Sequence, residues 1–427
     1  MGSSFTVAVT GQSLIRHDLR AVVDPRFLAV IDIIKAAEVS ITNFEMTVYG
    51  RHGGWPMKGS YFGCAPPEVM AALKFIGFNT VALANNHAFD LGPSGVLSTL
   101  EEASANEFLH AGIGIDRQHA GRVIDKTFPG NNIGLIAMDA GPGLSIMYAD
   151  DSGKGRPARP GVNQLKVSRL FEVEPPVFNF LRDLQENFQS SYLERANYAQ
   201  PEDPPNVAGA KEIDFYGTIF RRSDRNLRRI LVDPRSALTQ LAEIRRSAAR
   251  GTFVIAYLHH HHWEPDWRIV PTWVQEFARL CIDAGARMFV SHGAPVLQAI
   301  EIYRKAPIFY GLGNFLFHAE NDEEEWSPRE VWESVIASCV FDRDGALRSI
   351  DLHPIVIGGT EALNDRQKTR LPFPILVHGA TAQDILVGLA DRCRMFQTHL
   401  TRDGNLGQIN VADMEERGWS GSSESPC

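Results

Sequence analysis

The chain has 427 residues, of which 44% are hydrophobic and 22% are charged, so it can bury a large core in one extended domain or two smaller ones. Its formal net charge of -9 is spread without long acidic blocks, which argues against nucleic acid as a partner, because nucleic-acid-binding proteins concentrate Lys and Arg. Five scattered cysteines, and no apolar run near the roughly 18 residues of a membrane span, predict a cytoplasmic protein without a membrane partner.

Short apolar, β-branched runs alternate with helical patterns in the first part of the chain. Because strands separated by helices form a sheet with helical layers, this order predicts an α/β fold. The predicted strands cover 5–11, 39–45, 80–84 and 132–138, and the predicted helices cover 27–37, 66–77 and 93–106.

The alternation stops at residues 139–250, which are rich in Gly, Pro and Asp. Loops interrupted by helices at 177–190 and 235–249 are predicted there. We interpret this range as an insertion, or cap, in a single domain of residues 1–400.

The sheet pattern resumes after the insertion. A low hydrophobicity from residue 401 to 427 then predicts a mobile tail. The resumed pattern consists of strands at 252–258 and 287–291, a helix at 271–284, the apolar segments IEIY and PIFYGLGNFLF, and two strand-like runs within 335–358.

One basic cluster stands out within the insertion. Two interpretations are open for it, a solvated helix face or an anion-binding patch. Its members are Arg221, Arg222, Arg225, Arg228 and Arg229.

Polar side chains that can bind metal occur where predicted strands end. Because the carboxyl ends of strands in an α/β sheet meet at one edge, these side chains are expected to converge. Imidazole, carboxylate and carboxamide groups form a mixed nitrogen and oxygen set that suits zinc, manganese or iron. The residues are Gln12, Asn43, Glu45, Asn85, Asn86, His87, the run His259 to His262, and His292.

The four consecutive histidines follow the apolar strand at 252–258. Side chains alternate along an extended chain, so His259 and His261 share one face, and His260 and His262 share the other. His259 is the preferred metal ligand because it lies at the end of the predicted strand, and His261 is a second ligand or a substrate contact. His260 and His262 pack, form hydrogen bonds or orient His259 and His261.

The order of motifs resembles the capsule-biosynthesis proteins called CapA or PgsA, which are associated with poly-gamma-glutamate and related to calcineurin-like metallophosphoesterases. The matching segments are NFE at 43–45, LANNHAFDLGPSGVLSTL at 83–100, and the block from HHHHWEPDW through IDAGARMFVSHGAPVLQAIEIY to PIFYGLGNFLF. The resemblance implies a four-layer α-β-β-α sandwich with a metal site at one edge.

The resemblance also implies a set of metal ligands. In the metallophosphoesterase pattern, two positions of one metal correspond here to Gln12 and Ala294, which depart from its aspartate and histidine. The second metal's set survives as Glu45, Asn86, one histidine of the run and His292. This implies one divalent ion, Mn, Zn or Fe, with a second ion weak or absent.

Which histidine of the run corresponds to the family's metal ligand stays open. Alignment on the strand selects His259, with His261 close behind, whereas alignment on HWEPDW selects His262.

The implied activity is that of a metal-dependent hydrolase whose nucleophile is a metal-bound hydroxide. His87 matches the family's general acid, and Asp90 is predicted to orient it. The substrate is expected to be a small molecule or short acidic polymer, attacked at an amide, ester or phosphoester bond. The alternative is a non-catalytic binding or assembly protein for a poly-gamma-glutamate-like polymer.

Substrate contacts are predicted at two kinds of position. Polar residues at the strand ends supply hydrogen bonds, and arginines supply carboxylate recognition. The predicted contacts are Gln12, Asn43, Asn85, Arg159, Arg221 and Arg222.

Overall fold

The computed structural model describes residues 4–58, 62–153, 155–187, 211–215, 218–318, 328–360 and 373–412. The helices in these residues are α1 (Pro25–Lys35), α2 (Glu68–Ile76), α3 (Gly92–Ala105), α4 (Arg117–Gly121), α5 (Pro175–Asn187), α6 (Pro234–Ala248), α7 (Thr272–Asp283) and α8 (Gly379–Arg394).

The strands follow the same chain order. They are β1 (Phe5–Leu14), β2 (Val39–Phe44), β3 (Thr47–Val48), β4 (Cys64–Ala65), β5 (Thr80–Ala82), β6 (Leu109–Ala111), β7 (Ile113–Gly114), β8 (Ile124–Phe128), β9 (Asn131–Asp139), β10 (Gly161–Val162), β11 (Val167–Val173), β12 (Glu212–Phe215), β13 (Thr218–Arg222), β14 (Leu227–Val232), β15 (Phe253–His259), β16 (Ala286–His292), β17 (Ile300–Tyr303), β18 (Ala306–Phe309), β19 (Asn314–Phe317), β20 (Glu333–Phe341), β21 (Leu347–Ile357), β22 (Pro374–Leu376), β23 (Thr401–Asp403) and β24 (Leu406–Asn410).

The larger sheet has the strand order β23-β24-β21-β20-β1-β2-β5-β6, with β19 also paired to β1 and β22 to β21. Strand β1 lies inside it and is almost entirely buried, including the polar residues Thr10, Gln12 and Ser13 near its carboxyl end. Strands β19, β1, β2, β5 and β6 run parallel, so their carboxyl ends reach the same edge.

The second sheet has the order β17-β18-β16-β15-β9-β8. Its strands β9, β15, β16 and β18 are parallel, and all seven residues of β15 are buried. The carboxyl ends of β9, β15 and β16 therefore share one edge.

The two sheets share one hydrophobic core. Phe253 of β15 meets two rings of the larger sheet edge-on, with centroids 4.9 Å from Phe5 and 4.9 Å from Phe341. Helices pack on the sheets through apolar faces: Phe27 of α1 and Leu386 of α8 belong to this core, and the ring of Phe277 in α7 contacts Phe289 of β16. The α/β sandwich predicted from the sequence is confirmed.

The chain divides into two compact units, one of residues 1–165 and 238–427 and one of residues 166–237. The smaller unit lies within the range interpreted as an insertion. It has helix α5 and a sheet ordered β12-β13-β11-β14, around a small core of Val173, Phe178 and Ile213. The sequence predicted loops and helices here, because these strands are short and largely exposed and carry no continuous apolar run.

The basic cluster lies on this small sheet, so its interpretation as a helix face is wrong. Arg221 and Arg222 belong to β13, and Arg228 and Arg229 to β14. Cross-strand ion pairs join Arg221 to Glu212 at 2.6 Å and Arg229 to Glu172 at 3.0 Å. Such pairing stabilises adjacent antiparallel strands.

The mobile tail predicted from residue 401 is wrong for residues 401–412. Strands β23 and β24 extend the larger sheet, and Ile409 is fully buried in the core. One apolar side chain at every second position is enough to bury a short edge strand, although the mean hydropathy stays low. Residues 413–427 lie outside the described residues.

Among the described residues, the structure contains no helix with the length and apolar character needed to cross a membrane.

Gly11 is predicted to be intolerant of a side chain. A Cβ there would lie 2.4 Å from the carbonyl oxygen of Gly313, where β1 meets the turn before β19. Gly11→Ala should therefore destabilise the protein by about 1–3 kcal/mol, measured by chemical unfolding. Gly153→Ala is the control, because a Cβ at Gly153 meets no atom within 4 Å. Equal effects in both variants would contradict the prediction.

Candidate metal centre and its cleft

Three predicted ligands meet where the carboxyl edges of the larger sheet and the second sheet come together. Glu45 follows β2, His259 ends β15, and His261 lies two residues later. His259 Nε2 lies 3.2 Å and His261 Nε2 3.9 Å from Glu45 Oε1, and the three candidate ligand atoms lie within 4.8 Å of one another. One carboxylate and two imidazoles can hold a divalent ion at this separation after small adjustments.

Several buried polar atoms near these residues have no hydrogen-bond partner among the described residues. They belong to Glu45 Oε2, Asn86 Oδ1, His261 Nε2 and both ring nitrogens of His292. Buried polar atoms are hydrogen-bonded in the great majority of cases, and a cluster of acceptors can be satisfied by a cation. The residues present therefore fit a divalent metal ion.

The carboxylates set the charge state of this cluster. Burial alone lowers the pKa of His259, but Glu45 and Asp139 raise it to about 9. Burial raises the pKa of Glu45, but His259, His87 and His261 together lower it, so its net shift is downward. Burial and His259 together lower the pKa of His261 well below its usual value, which leaves that ring neutral and able to bind metal.

His260 and His262 lie on the opposite side of the run from His259. The rings of His260 and His262 contact Trp273 edge-on, at centroid distances of 5.0 and 6.2 Å. His262 Nε2 lies 3.1 Å from the carbonyl oxygen of Ala140. These two histidines pack and hydrogen-bond, whereas His259 and His261 face Glu45.

His292 and Asn86 complete the predicted ligand set. His292 ends β16 in register with His259, and its ring stacks on Tyr257 at 5.2 Å. Burial and His259 lower the pKa of His292 to about 3, so its ring is neutral. Asn86 lies in the turn after β5 and lines the same cleft as Glu45 and His261.

The predicted general acid is held by the predicted orienting residue. His87 Nδ1 lies 2.7 Å from Asp90 Oδ2, which also accepts a 2.6 Å hydrogen bond from the backbone N–H of Gly63. A Cβ on Gly63 would lie 2.5 Å from His87 Nδ1, so the ring is packed against bare backbone. His87 is fixed in orientation while still lining the cleft.

The cleft beside the metal centre has a volume of about 380 Å³. Its charged lining comprises Glu45, Arg16 and Lys58, and its aromatic lining includes Trp263, Trp267 and Phe317. Trp263 contacts the ring of His261 at 4.6 Å and that of Trp267 at 5.3 Å, so aromatic surface extends from the metal centre.

The predicted substrate contacts separate into two groups. Gln12 lines the cleft, where its Nε2 donates to Asn314 Oδ1 at 2.9 Å. Asn43 and Asn85 are fully buried and do not line it. Asn85 instead donates to the Phe44 carbonyl at 2.8 Å and accepts from the His87 backbone at 3.0 Å. The assignment of Asn85 as a substrate contact is corrected to a structural role, because its amide satisfies backbone groups of the turn, whereas the role of Asn43 stays a prediction.

The predicted arginines do not lie at the described cleft. Arg159 is absent from its lining and donates to the Tyr148 carbonyl at 2.9 Å, which corrects its assignment. Arg221 and Arg222 belong to the smaller unit, where Arg221 pairs with Glu212, and their substrate role stays a prediction.

Sequence reasoning missed Asp139 and the cleft's own cations. Asp139 ends β9 and lies 3.0 Å from His259 Nδ1. The rule that selected the other strand-end residues would have selected it. His318 directly follows β19, so the same rule would have selected it too, whereas no strand-end pattern marks Arg16 or Lys58, which loops bring to the cleft.

Comparisons with known proteins cover most of the chain. The model of a family described as bacterial capsule synthesis protein PGA_cap matches residues 6–319. The chain is 26% identical to an uncharacterized protein of Sinorhizobium fredii, y4sH, over 95% of this chain and 93% of that protein. It is 23% identical to the PGA biosynthesis protein CapA of Bacillus subtilis, over 81% of this chain and 70% of that protein.

A search of solved structures gave a more distant similarity. A 5'-nucleotidase precursor from Thermus thermophilus matches with a TM-score of 0.36 and 11% identity. The match covers 91% of this chain, which spans 59% of that structure.

We expect about one divalent ion per chain in protein purified without a histidine tag. Glu45→Gln and His261→Gln should each lose it, because each removes a converging ligand, whereas His260→Gln should keep it. Metal analysis of the purified variants measures this. Loss of the ion in His260→Gln alone would contradict the assignment of faces.

The stability of the metal-free protein should fall as the pH rises from 6.5 through about 9. His259 has a raised pKa, so its contribution is complete below 6.5 and is lost as its ring deprotonates in the folded state. The loss is on the order of 3 kcal/mol. The lowered pKa values of His261 and His292 act below pH 6.5, outside this window.

Chelator-treated protein can be unfolded chemically at both ends of this pH window. His259→Gln should lack the decrease, because the amide does not titrate. The same decrease in that variant would refute the assignment to His259.

Proposed function

Because the chain belongs to the bacterial capsule synthesis protein PGA_cap family, we propose that it is a metal-dependent hydrolase acting on an acidic substrate. One observation carries this proposal: buried, unpartnered ligand atoms of Glu45, Asn86 and His261 converge at the cleft that His87 lines. An electrophilic centre next to a positioned proton donor is the arrangement that hydrolysis needs.

The metal would be held by Glu45, Asn86, His259, His261 and His292. When bound, a divalent ion supplies Lewis acidity, which polarises a carbonyl or phosphoryl oxygen and increases the acidity of water. Glu45 supplies the one carboxylate of this set, so its charge anchors the cation. The neutral ligands leave the centre with net positive charge, which favours an anionic substrate.

His87 would transfer a proton to the leaving group. Asp90 accepts a hydrogen bond from Nδ1 and thereby presents Nε2 for this transfer. The Gly63 N–H on the same carboxylate oxygen prevents Asp90 from rotating away. This pair fixes the direction of the proton donor without a contribution from the metal ligands.

The lining of the cleft supports an acidic, partly apolar substrate. Arg16 and Lys58 are cationic, and Glu45 is the one acidic residue of the described lining and belongs to the metal centre. Arg16 donates to the carbonyl of Phe62 at 2.9 Å, next to the Gly63 that packs on His87. A carboxylate or phosphate at Arg16 would therefore lie close to the reacting bond.

The replacement of two ligands favours an amide or ester bond over a phosphoester. Gln12 is a neutral amide bonded to Asn314, and Ala294 is a buried apolar residue. Two metal ions normally clamp the attacking and leaving oxygens in phosphoryl transfer, and these residues remove ligands for one of them.

The same replacements favour a second candidate function. A non-catalytic protein that binds or assembles a poly-gamma-glutamate-like polymer would keep the fold and cleft without needing a complete centre. Binding of an acidic peptide without turnover, by protein loaded with its metal, would favour this function over hydrolysis.

His87→Gln should lower kcat by roughly 100-fold or more while metal content stays unchanged, because the variant loses the proton donor but no ligand. Turnover of glutaryl p-nitroanilide, p-nitrophenyl acetate and p-nitrophenyl phosphate measures activity. His110→Gln, on β6 away from the described cleft, is the control. Full activity in His87→Gln would refute its role.

Arg16→Gln should raise KM for an acidic substrate roughly ten-fold with a smaller change in kcat, and Arg16→Lys should restore most of the affinity. The lysine keeps the positive charge and the glutamine does not, so the comparison of the two variants isolates the charge. A neutral ester should be unaffected. Equal effects on acidic and neutral substrates would indicate a structural role instead.

A further inference from the structure

Asp139 is a fully buried carboxylate at the end of β9, directly beside the candidate metal ligand His259 of β15. The two residues are register partners in neighbouring parallel strands. The Oδ1 atom of Asp139 lies 3.0 Å from Nδ1 of His259. The sheet therefore fixes this contact through backbone pairing.

The other oxygen of Asp139 is held by two donors. Its Oδ2 accepts hydrogen bonds from the backbone N–H of Gly141 at 3.0 Å and from the hydroxyl of Tyr148 at 3.0 Å. Burial and Asp139 raise the pKa of Tyr148, so the hydroxyl keeps its proton and donates. With Oδ2 fixed in this way, Oδ1 has to face His259.

This geometry determines which nitrogen of His259 carries a proton. An ionised carboxylate can only accept, so the Nδ1 of His259 is the donor. When the ring is neutral, its lone pair is then on Nε2, the atom that lies 3.2 Å from Glu45 Oε1. Such a carboxylate partner also increases the basicity of a ligating imidazole.

The neighbouring His262 has the opposite arrangement. Its Nε2 lies 3.1 Å from the carbonyl oxygen of Ala140, which can only accept, so Nε2 carries the proton. The register that the sequence leaves open between His259 and His262 is decided by these two acceptors.

We propose that Asp139 is a positioning residue that locks His259 in the Nδ1–H tautomer and thereby makes Nε2 of His259 a metal ligand. The proposal rests on the proposed metal-dependent function. Asp139 acts through His259, and Tyr148 and Gly141 keep the carboxylate in its orientation.

Asp139→Asn is the sharpest test, because its amide has one preferred orientation. The Gly141 N–H and the Tyr148 hydroxyl require an acceptor at the position of Oδ2, so the amide oxygen occupies that position and its NH₂ group faces Nδ1. His259 then becomes the Nε2–H tautomer, which has no lone pair for the metal. Affinity for Mn²⁺ or Zn²⁺ should fall roughly 10–100-fold.

Asp139→Ala and Tyr148→Phe are matched controls. Alanine removes the carboxylate but does not force the wrong tautomer, so it should bind metal at least as tightly as Asp139→Asn. If Asp139 were only structural, the nearly isosteric asparagine should be the milder change. Tyr148→Phe leaves the Oδ1 contact intact and should have the smallest effect.

The tautomer itself can be measured by nitrogen-15 NMR of histidine-labelled, metal-free protein above a pH of about 9, where His259 is neutral. Wild type should show the Nδ1–H form and Asp139→Asn the Nε2–H form. An Nε2–H signal in wild type would overturn the proposal, as would unchanged metal affinity in folded Asp139→Asn. Neither result depends on turnover, so a protein without hydrolytic activity would refute the proposed function and leave this proposal standing.

Discussion

The buried carboxylate of Glu45 is the constraint on which the site depends. It is only 2% exposed, and an uncompensated charge at such a position costs several kcal/mol. In the metal-free protein, protonated His259 supplies the compensating charge, which is why the pKa of that ring is raised to about 9. A divalent ion would replace this proton as the compensating charge. It would also satisfy the lone pairs of Asn86 and His261, which have no hydrogen-bond partner among the described residues.

The arrangement of the two large sheets brings the carboxylate of Glu45 next to the ring of His259. Glu45 directly follows β2 of the larger sheet, and His259 ends β15 of the second sheet. The core that these two sheets share brings the carboxyl edges of the sheets together. Parallel pairing then stacks one strand-end residue next to another, as Asp139, His259 and His292 show in three adjacent strands. The candidate ligands His259 and His292, and Asp139 beside His259, are thus placed by backbone register, which is stiffer than any loop.

The proposed proton donor, the cations and the tryptophans line the cleft beside this centre. The proposed proton donor, His87, is oriented by Asp90, a different carboxylate from those that contact His259, so the proposed proton transfer and metal binding would depend on different acids. The cations and tryptophans lie on loops after the strands, where sequence can change without disturbing the core.

The sequence by itself determined strands β1, β2, β5, β9, β15 and β16 and helices α1, α2, α3 and α7, because their apolar periods are long and regular, but it did not predict β6, β8 or α8. It also determined the candidate ligands, because His and Glu at strand ends have few structural reasons to be there. Only the tertiary structure distinguishes His259 from His262 as the candidate ligand, since the distinction depends on their acceptors, Asp139 and Ala140, which lie 120 and 122 residues earlier in the chain. The same holds for Asn85 and Arg159, whose side chains make backbone hydrogen bonds in the fold. The sheet of the smaller unit and strand β24 were also decided only by the tertiary structure. These short strands are stable only when paired, and no local apolar period predicts that pairing.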